Sequence, residues 1–251
     1  MARRQNETKL PAPWLLRVTL DDPDADLPDK YPFSLPWLTP DFEFEISEPV
    51  TILTGENGSG KSTLLEALAA LAGFHTSGGG AWAGQGGLDP SREPDDAAAL
   101  AARLRAGWLP KIARGWFLKA QSFAAVSDQM SKNYLAFSHG EGFAELIMDR
   151  MAGQGVYFLD EPEAALSPRR QAELLRFLAG IQQSADAQVI MATHSPMLMS
   201  VPGACLLKLS HRGIDRIALR ETDHFRLWSA FGADPDGFVA AALSGDLDTV
   251  I

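Results

Sequence analysis

The sequence predicts an α/β fold built around a strand, a glycine loop and a helix in that order. Three observations carry this prediction. Val50-Thr-Ile-Leu-Thr54 is a short apolar and β-branched run of the kind buried within a sheet. Gly55-Glu-Asn-Gly-Ser-Gly-Lys-Ser62 follows it directly, and the Leu/Ala periodicity from Leu64 to Phe74 then reads as a helix lying on that sheet. Gly155-Val-Tyr-Phe-Leu-Asp160 is a second buried-type strand, and it ends in an acid.

The remaining elements are justified in chain order. MARRQNETKL begins with two arginines but continues polar, so it is expected to be a disordered lead and lacks the apolar run of a secretory signal. Trp14 to Leu20 and Phe42 to Ile46 carry alternating apolar residues and predict a β-rich first layer, separated by the Asp/Pro-rich loop Asp21 to Lys30. Ser77 to Gly87 is glycine-rich, predicting a long mobile loop; Ala97 to Arg105 predicts a short helix, and Trp116 to Phe123 a strand end. Helices are expected over Ser138 to Gly153 and Pro168 to Gln183, with a strand at Gln188 to Thr193. Cys205 to Ser210 and Ile214 to Leu219 predict a hairpin around HRG, and the chain from Asp223 onward is expected to be helical with breaks near FGADPDG.

Composition narrows the function classes. With 22 Lys+Arg against 32 Asp+Glu the net charge is −10, which argues against a surface holding nucleic acid mainly by phosphate neutralisation. Arg103, Arg105, Lys111, Arg114 and Lys119 still make a local basic run. No segment approaches the roughly 18 consecutive apolar residues of a membrane span, so no membrane insertion is expected. Cys205 is the single cysteine, which excludes an intrachain disulfide and suits a reducing cytoplasm.

The chemistry concentrates in two motifs. Gly55–Ser62 fits GxxxxGK[ST] between a strand and a helix. Backbone N–H groups of such a loop and the following helix N-terminus point positive charge at phosphates. Lys61 is expected to reach the β- and γ-phosphates and Ser62 to place its hydroxyl on Mg²⁺, while Gly55, Gly58 and Gly60 supply backbone freedom. Asp160 is delivered to the carboxyl edge of a parallel sheet, where it can hold Mg²⁺, and Glu161 next to it is the candidate to polarise an attacking water. Ser138 and Glu141 also form an S-x-x-E capping box at a helix start.

With these two motifs in place, the downstream residues resemble ABC-type ATPases, in particular small stand-alone bacterial AAA-family ATPases related to chromosome-maintenance ATPase heads. The likeness runs from about Tyr31 to Phe238. FLKAQSF is similar to the family's glutamine loop, with Gln121 sensing Mg²⁺ and the attacking water; Phe137-Ser-His-Gly-Glu141 is similar to its signature; Glu163 to Ser167 matches the D-loop; and MATHSP places His194 as the switch histidine near the γ-phosphate. His139 and Glu141 depart from the usual signature, and Ser167 stands where many D-loops have aspartate. Tyr31, Phe33 and Trp37 are the candidates for stacking on adenine.

The resemblance implies an α/β P-loop NTPase of ABC type: a mixed central sheet with an N-terminal antiparallel β layer and a reduced helical subdomain. It implies one ATPase domain over 1–251, divided into the β layer (1–49), the P-loop unit (50–76), the mobile loop and reduced helical region with the signature (77–152), and the Mg-binding strand, switch histidine and C-terminal elements (153–251). The ligands implied are ATP and Mg²⁺. Catalytic residues would be Glu161, His194 and Gln121; nucleotide contacts Gly55, Glu56, Asn57, Gly58, Ser59, Gly60, Lys61, Ser62, Thr63, Ser138 and Gly140; and metal ligands Ser62, Asp160 and Gln121.

Because the family's signature works in trans, a head-to-tail, ATP-dependent homodimer is implied, with nucleic acid a less favoured partner. The short interval from Gln121 to Ser138 leaves no room for coiled-coil arms or a full transporter-docking subdomain. The favoured expectation is a soluble cytoplasmic ATP-hydrolysing dimerisation switch. The alternatives are the ATP-binding subunit of a membrane transporter and a nucleic-acid-associated ATPase in DNA repair or phage defence.

Overall fold

The computed structural model describes residues 7–24, 26–76, 78–80, 95–121 and 139–249. Among these, seven strands form a central sheet and three form a second, antiparallel sheet. The antiparallel sheet comprises β1 (Leu15–Leu20), β2 (Glu43–Glu45) and β5 (Leu104–Trp108), with β1 in the middle. The central sheet contains β3 (Val50–Thr54), β4 (Gly79–Gly80), β6 (Gly115–Lys119), β7 (Val156–Asp160), β8 (Gln188–Ala192), β9 (Cys205–Ser210) and β10 (Gly213–Arg216). Their order is β10-β9-β3-β8-β7-β6-β4, parallel from β9 through β6 and antiparallel at both edges. The central sheet is therefore mixed, as expected.

Strand periodicity explains the layering. Val156, Phe158, Ile190 and Ala192 point to one side, where they pack with Trp14, Phe44 and helix α1 (Lys61–Ala72) beneath the antiparallel sheet. Tyr157, Leu159, Val189 and Met191 point to the other side, against α3 (His139–Arg150) and α4 (Pro168–Ser184). Apolar residues on both faces are what a parallel strand covered on two sides requires. Gln188 fastens the two sheets together. Its fully buried amide accepts from the backbone N–H groups of Trp14 and Leu15, each at 2.9 Å, and donates to Leu15 O at 2.8 Å.

One predicted element is corrected. The helix expected over Ala97 to Arg105 ends early: α2 spans Asp96–Ala101, and Leu104–Trp108 is strand β5. Leu104, Arg105 and Ala106 pair with Leu20, Thr19 and Val18 of β1, so long-range pairing overrides the local helix preference of an Ala/Leu run. The β layer thus takes in a strand from beyond residue 49. Gly79 and Gly80 pair with Phe117 and Trp116 rather than forming open loop, while residues 77 and 81–87 of that glycine-rich stretch lie outside the described residues. At the chain's end, α5 (Pro196–Met199) precedes the β9–β10 hairpin, and α6 (Asp223–Ala233) and α7 (Pro235–Ser244) break at Asp234, within the expected FGADPDG segment. Among the described residues no helix is long and apolar enough to cross a membrane.

Candidate functional site

The carboxyl ends of β3, β6, β7 and β8 bring the singled-out residues to one edge, because these strands run parallel and in register: Lys119 beside Asp160, and Asp160 beside Ala192. The glycine loop leaves β3 at Gly55 and enters α1 through Gly60. Both glycines are required sterically. A Cβ on Gly55 (φ 145°) would lie 2.4 Å from Leu209 O, and one on Gly60 (φ 88°) would lie 2.8 Å from a Leu35 methyl. Gly60 also starts the helix without a capping side chain.

Lys61 is only 5% exposed, and its ammonium donates to Gly55 O and Glu56 O, both at 2.9 Å. Burial pushes its pKa down, while Glu161, Asp160 and Glu163 oppose that shift. The Ser62 hydroxyl donates to Asp160 Oδ1 at 3.0 Å, placing two hard oxygen donors side by side. Asp160 is 1% exposed, and burial raises its pKa to about 6 in spite of the Ser62 hydrogen bond and the charge of Lys119. A desolvated carboxylate next to a hydroxyl fits a small oxygen-seeking cation such as Mg²⁺.

Glu161 follows in the left-handed region (φ 47°, ψ 51°), sparsely populated for a residue with a side chain, and its N–H is held by Ala192 O at 2.9 Å. Its carboxylate accepts from Gln121 Nε2 at 3.2 Å and lies 3.7 Å from His194 Nε2. Gln121, Glu161 and His194, taken from three separate stretches of chain, therefore converge.

Several predicted positions resolve differently. Ser138 lies outside the described residues, so its pairing with Glu141 does too; Gly140 lies in the first turn of α3. Of the D-loop residues, Ser167 caps α4 and Glu163 turns inward. Among the adenine candidates, Trp37 is 3% exposed and donates from Nε1 to Ser59 O at 2.8 Å, so it supports the loop from below. Phe33 packs on the same core. Tyr31 is 47% exposed, with its hydroxyl bonded to Thr63 Oγ1. In the basic run, Arg105, Arg114 and Lys119 are engaged by Asp21, Glu7 and Glu66.

The structure adds two residues that sequence reasoning did not assign to the site. The half-buried Glu163 carboxylate accepts from Thr193 Oγ1 at 2.7 Å and from the His194 N–H at 2.5 Å, fixing the backbone that carries the histidine; desolvation pushes its pKa up. His224, from the first turn of α6, brings Nε2 to within 2.8 Å of His194 Nδ1. Glu163 had a signal in its D-loop position, whereas His224 had none. A cavity of about 320 Å³ opens beside the glycine loop, lined in part by Gly55, Asn57, His194, Lys208 and His224.

Two family models match parts of the chain. Residues 36–88, which contain the glycine loop, match a family model described as "AAA domain". Residues 141–200, which contain Asp160, Glu161 and His194, match one described as "AAA domain, putative AbiEii toxin, Type IV TA system". Comparison with curated proteins gives no match. Among solved structures, an SMC head domain from Thermotoga maritima is 15% identical, covering 70% of this chain and 93% of its own, at a TM-score of 0.41. A dimeric bacterial ABC transporter cassette is 16% identical, covering 72% and 90%, also at 0.41. The cbiO1 protein from Clostridium perfringens, part of the ABC transporter complex cbiONQ, is 18% identical, covering 78% and 88%, again at 0.41. The glycine loop and the acidic strand each fall within an AAA-domain match.

Proposed function

We propose that the protein hydrolyses ATP and uses the nucleotide to switch between monomer and head-to-tail homodimer. The observation that carries this reading is the convergence, at one sheet edge, of Lys61, the Ser62–Asp160 pair and the Gln121–Glu161–His194 group. Lys61 exchanges its two carbonyl partners for phosphate oxygens, and the open N-terminus of α1 faces the same phosphates. Ser62 and Asp160, with Gln121, would hold Mg²⁺, which when bound neutralises charge on the β- and γ-phosphates. Glu161 accepts a proton from the attacking water as its oxygen bonds to the γ-phosphorus in line with the departing ADP oxygen. Its left-handed backbone holds the carboxylate in place, and Gln121 and His194 flank it. Tyr31, exposed beside Thr63, is the aromatic side chain available to adenine.

Closure of the dimer brings the signature residues Ser138 and Gly140 of each subunit to the γ-phosphate held by the other. The whole chain serves as one head, and the single buried thiol, Cys205, suits a cytoplasmic setting. The nucleic-acid alternative loses support because three of the five basic-run residues are already paired with carboxylates.

Light scattering on Glu161→Gln tests the dimer. With ATP and Mg²⁺ its mass is expected to double from the monomer's 27.1 kDa and to return to that value once nucleotide is removed. A variant that binds ATP yet stays monomeric contradicts the switch, and one that binds no ATP contradicts the site as a whole.

A further inference from the structure

The two ring nitrogens of His194 face different groups. On one side Nδ1 lies 2.8 Å from His224 Nε2, with ring centroids 4.9 Å apart at 54°, the geometry of an in-plane hydrogen bond rather than a stack. On the other side Nε2 faces Glu161 Oε1 at 3.7 Å and, among the described residues, has no hydrogen-bond partner. Burial lowers the pKa of both histidines, so near neutral pH both rings are uncharged and the bond between them contains one proton.

The direction of that bond follows from Glu161. A carboxylate only accepts, so it favours a proton on His194 Nε2. A neutral imidazole carries one proton, which leaves Nδ1 as acceptor and makes His224 Nε2–H the donor. His224 is well placed to hold this arrangement. Thr222 caps the same turn by accepting from Phe225 N–H at 3.2 Å, and Asp223 is tied to Lys208 of β9 at 2.9 Å.

We propose that His224 is a positioning residue, donating Nε2–H to His194 Nδ1 and so presenting His194 Nε2–H to Glu161 and to the terminal phosphate. The hydrogen bond itself does not depend on the nucleotide reading; its kinetic consequence rests on Glu161-assisted hydrolysis. Through this bond the start of α6 becomes part of the catalytic edge, even though it lies beyond the glycine-loop and acidic-strand motifs in the chain.

The test has two arms. In ¹⁵N-labelled full-length protein without nucleotide, imidazole spectra are expected to show the shared proton on His224 Nε2 with coupling across to His194 Nδ1. A proton on His194 Nδ1, or no coupling between the rings, overturns the proposal. In steady-state hydrolysis, His224→Leu is expected to lower kcat about tenfold with KM unchanged, the loss expected of one ordinary hydrogen bond. His224→Gln, whose amide N–H reaches the same place, is expected to restore most of that loss. Equal kcat in His224→Leu and wild type, or no rescue by His224→Gln at the same melting temperature, overturns it. If the wild type has no ATPase activity, the hydrolysis reading fails while the spectroscopic arm still decides the bond.

Discussion

Replacing Asp160 by Asn should stabilise the metal-free protein. Asp160 sits at the end of β7, 1% exposed, and burial raises its pKa from an ordinary 3.8 to about 6. The folded state therefore binds the proton more tightly than the unfolded chain, so ionising this group costs stability. The cost is absent below pH 3.8, grows as pH rises and is complete above about 6. At ~1.4 kcal/mol per pH unit, the gap corresponds to about 3 kcal/mol at neutral pH. Asparagine cannot ionise, and its carbonyl can still accept from the Ser62 hydroxyl. Burying the amide's own N–H groups offsets part of the gain, leaving about 1–3 kcal/mol, or roughly 5 °C in melting temperature for a chain of this size. Calorimetry in chelator without nucleotide at pH 7.5 measures this directly, and at pH 5 the gain should fall to roughly half. A destabilised Asp160→Asn, or a gain that does not change with pH, refutes burial as the cause of the shift. The same variant should bind Mg²⁺·ATP more weakly than wild type, which would set stability and function in opposition at one side chain.

Two further outcomes can be checked separately. Lys61→Ala should weaken ATP binding at least ~100-fold by titration calorimetry, because a charge-assisted contact is lost from a desolvated site; undiminished affinity removes Lys61 from the phosphate site. Gln188→Leu should cost about 3–5 kcal/mol in denaturant unfolding, since it removes three buried hydrogen bonds and strands the N–H groups of Trp14 and Leu15; a change below ~1 kcal/mol would show that Gln188 does not hold the sheets together.

The parts of the fold that were legible in the sequence are those whose signal is local. β3, β7 and β8 are apolar on both faces and read as buried strands, and the glycine loop between β3 and α1 carries its own chemistry. Leu104–Trp108 was illegible because the Ala/Leu run before it favours helix, whereas its strand identity comes from pairing with the distant β1. Burial separated residues that composition treated alike: Trp37 and Tyr31 are both aromatic and both precede the loop, yet one lies beneath it and the other is exposed beside it. His224 could not be found from spacing, since it meets His194 only through the placement of α6 beside the carboxyl edge of the central sheet.

The most direct test of ATP hydrolysis at this edge is single-turnover phosphate release by wild type and Glu161→Gln, each saturated with ATP and Mg²⁺. Wild type should release phosphate, and Glu161→Gln should bind ATP with wild-type affinity while releasing it at least ~100-fold more slowly. Equal release rates from the two proteins would contradict the assignment of Glu161 and the hydrolytic mechanism built on it.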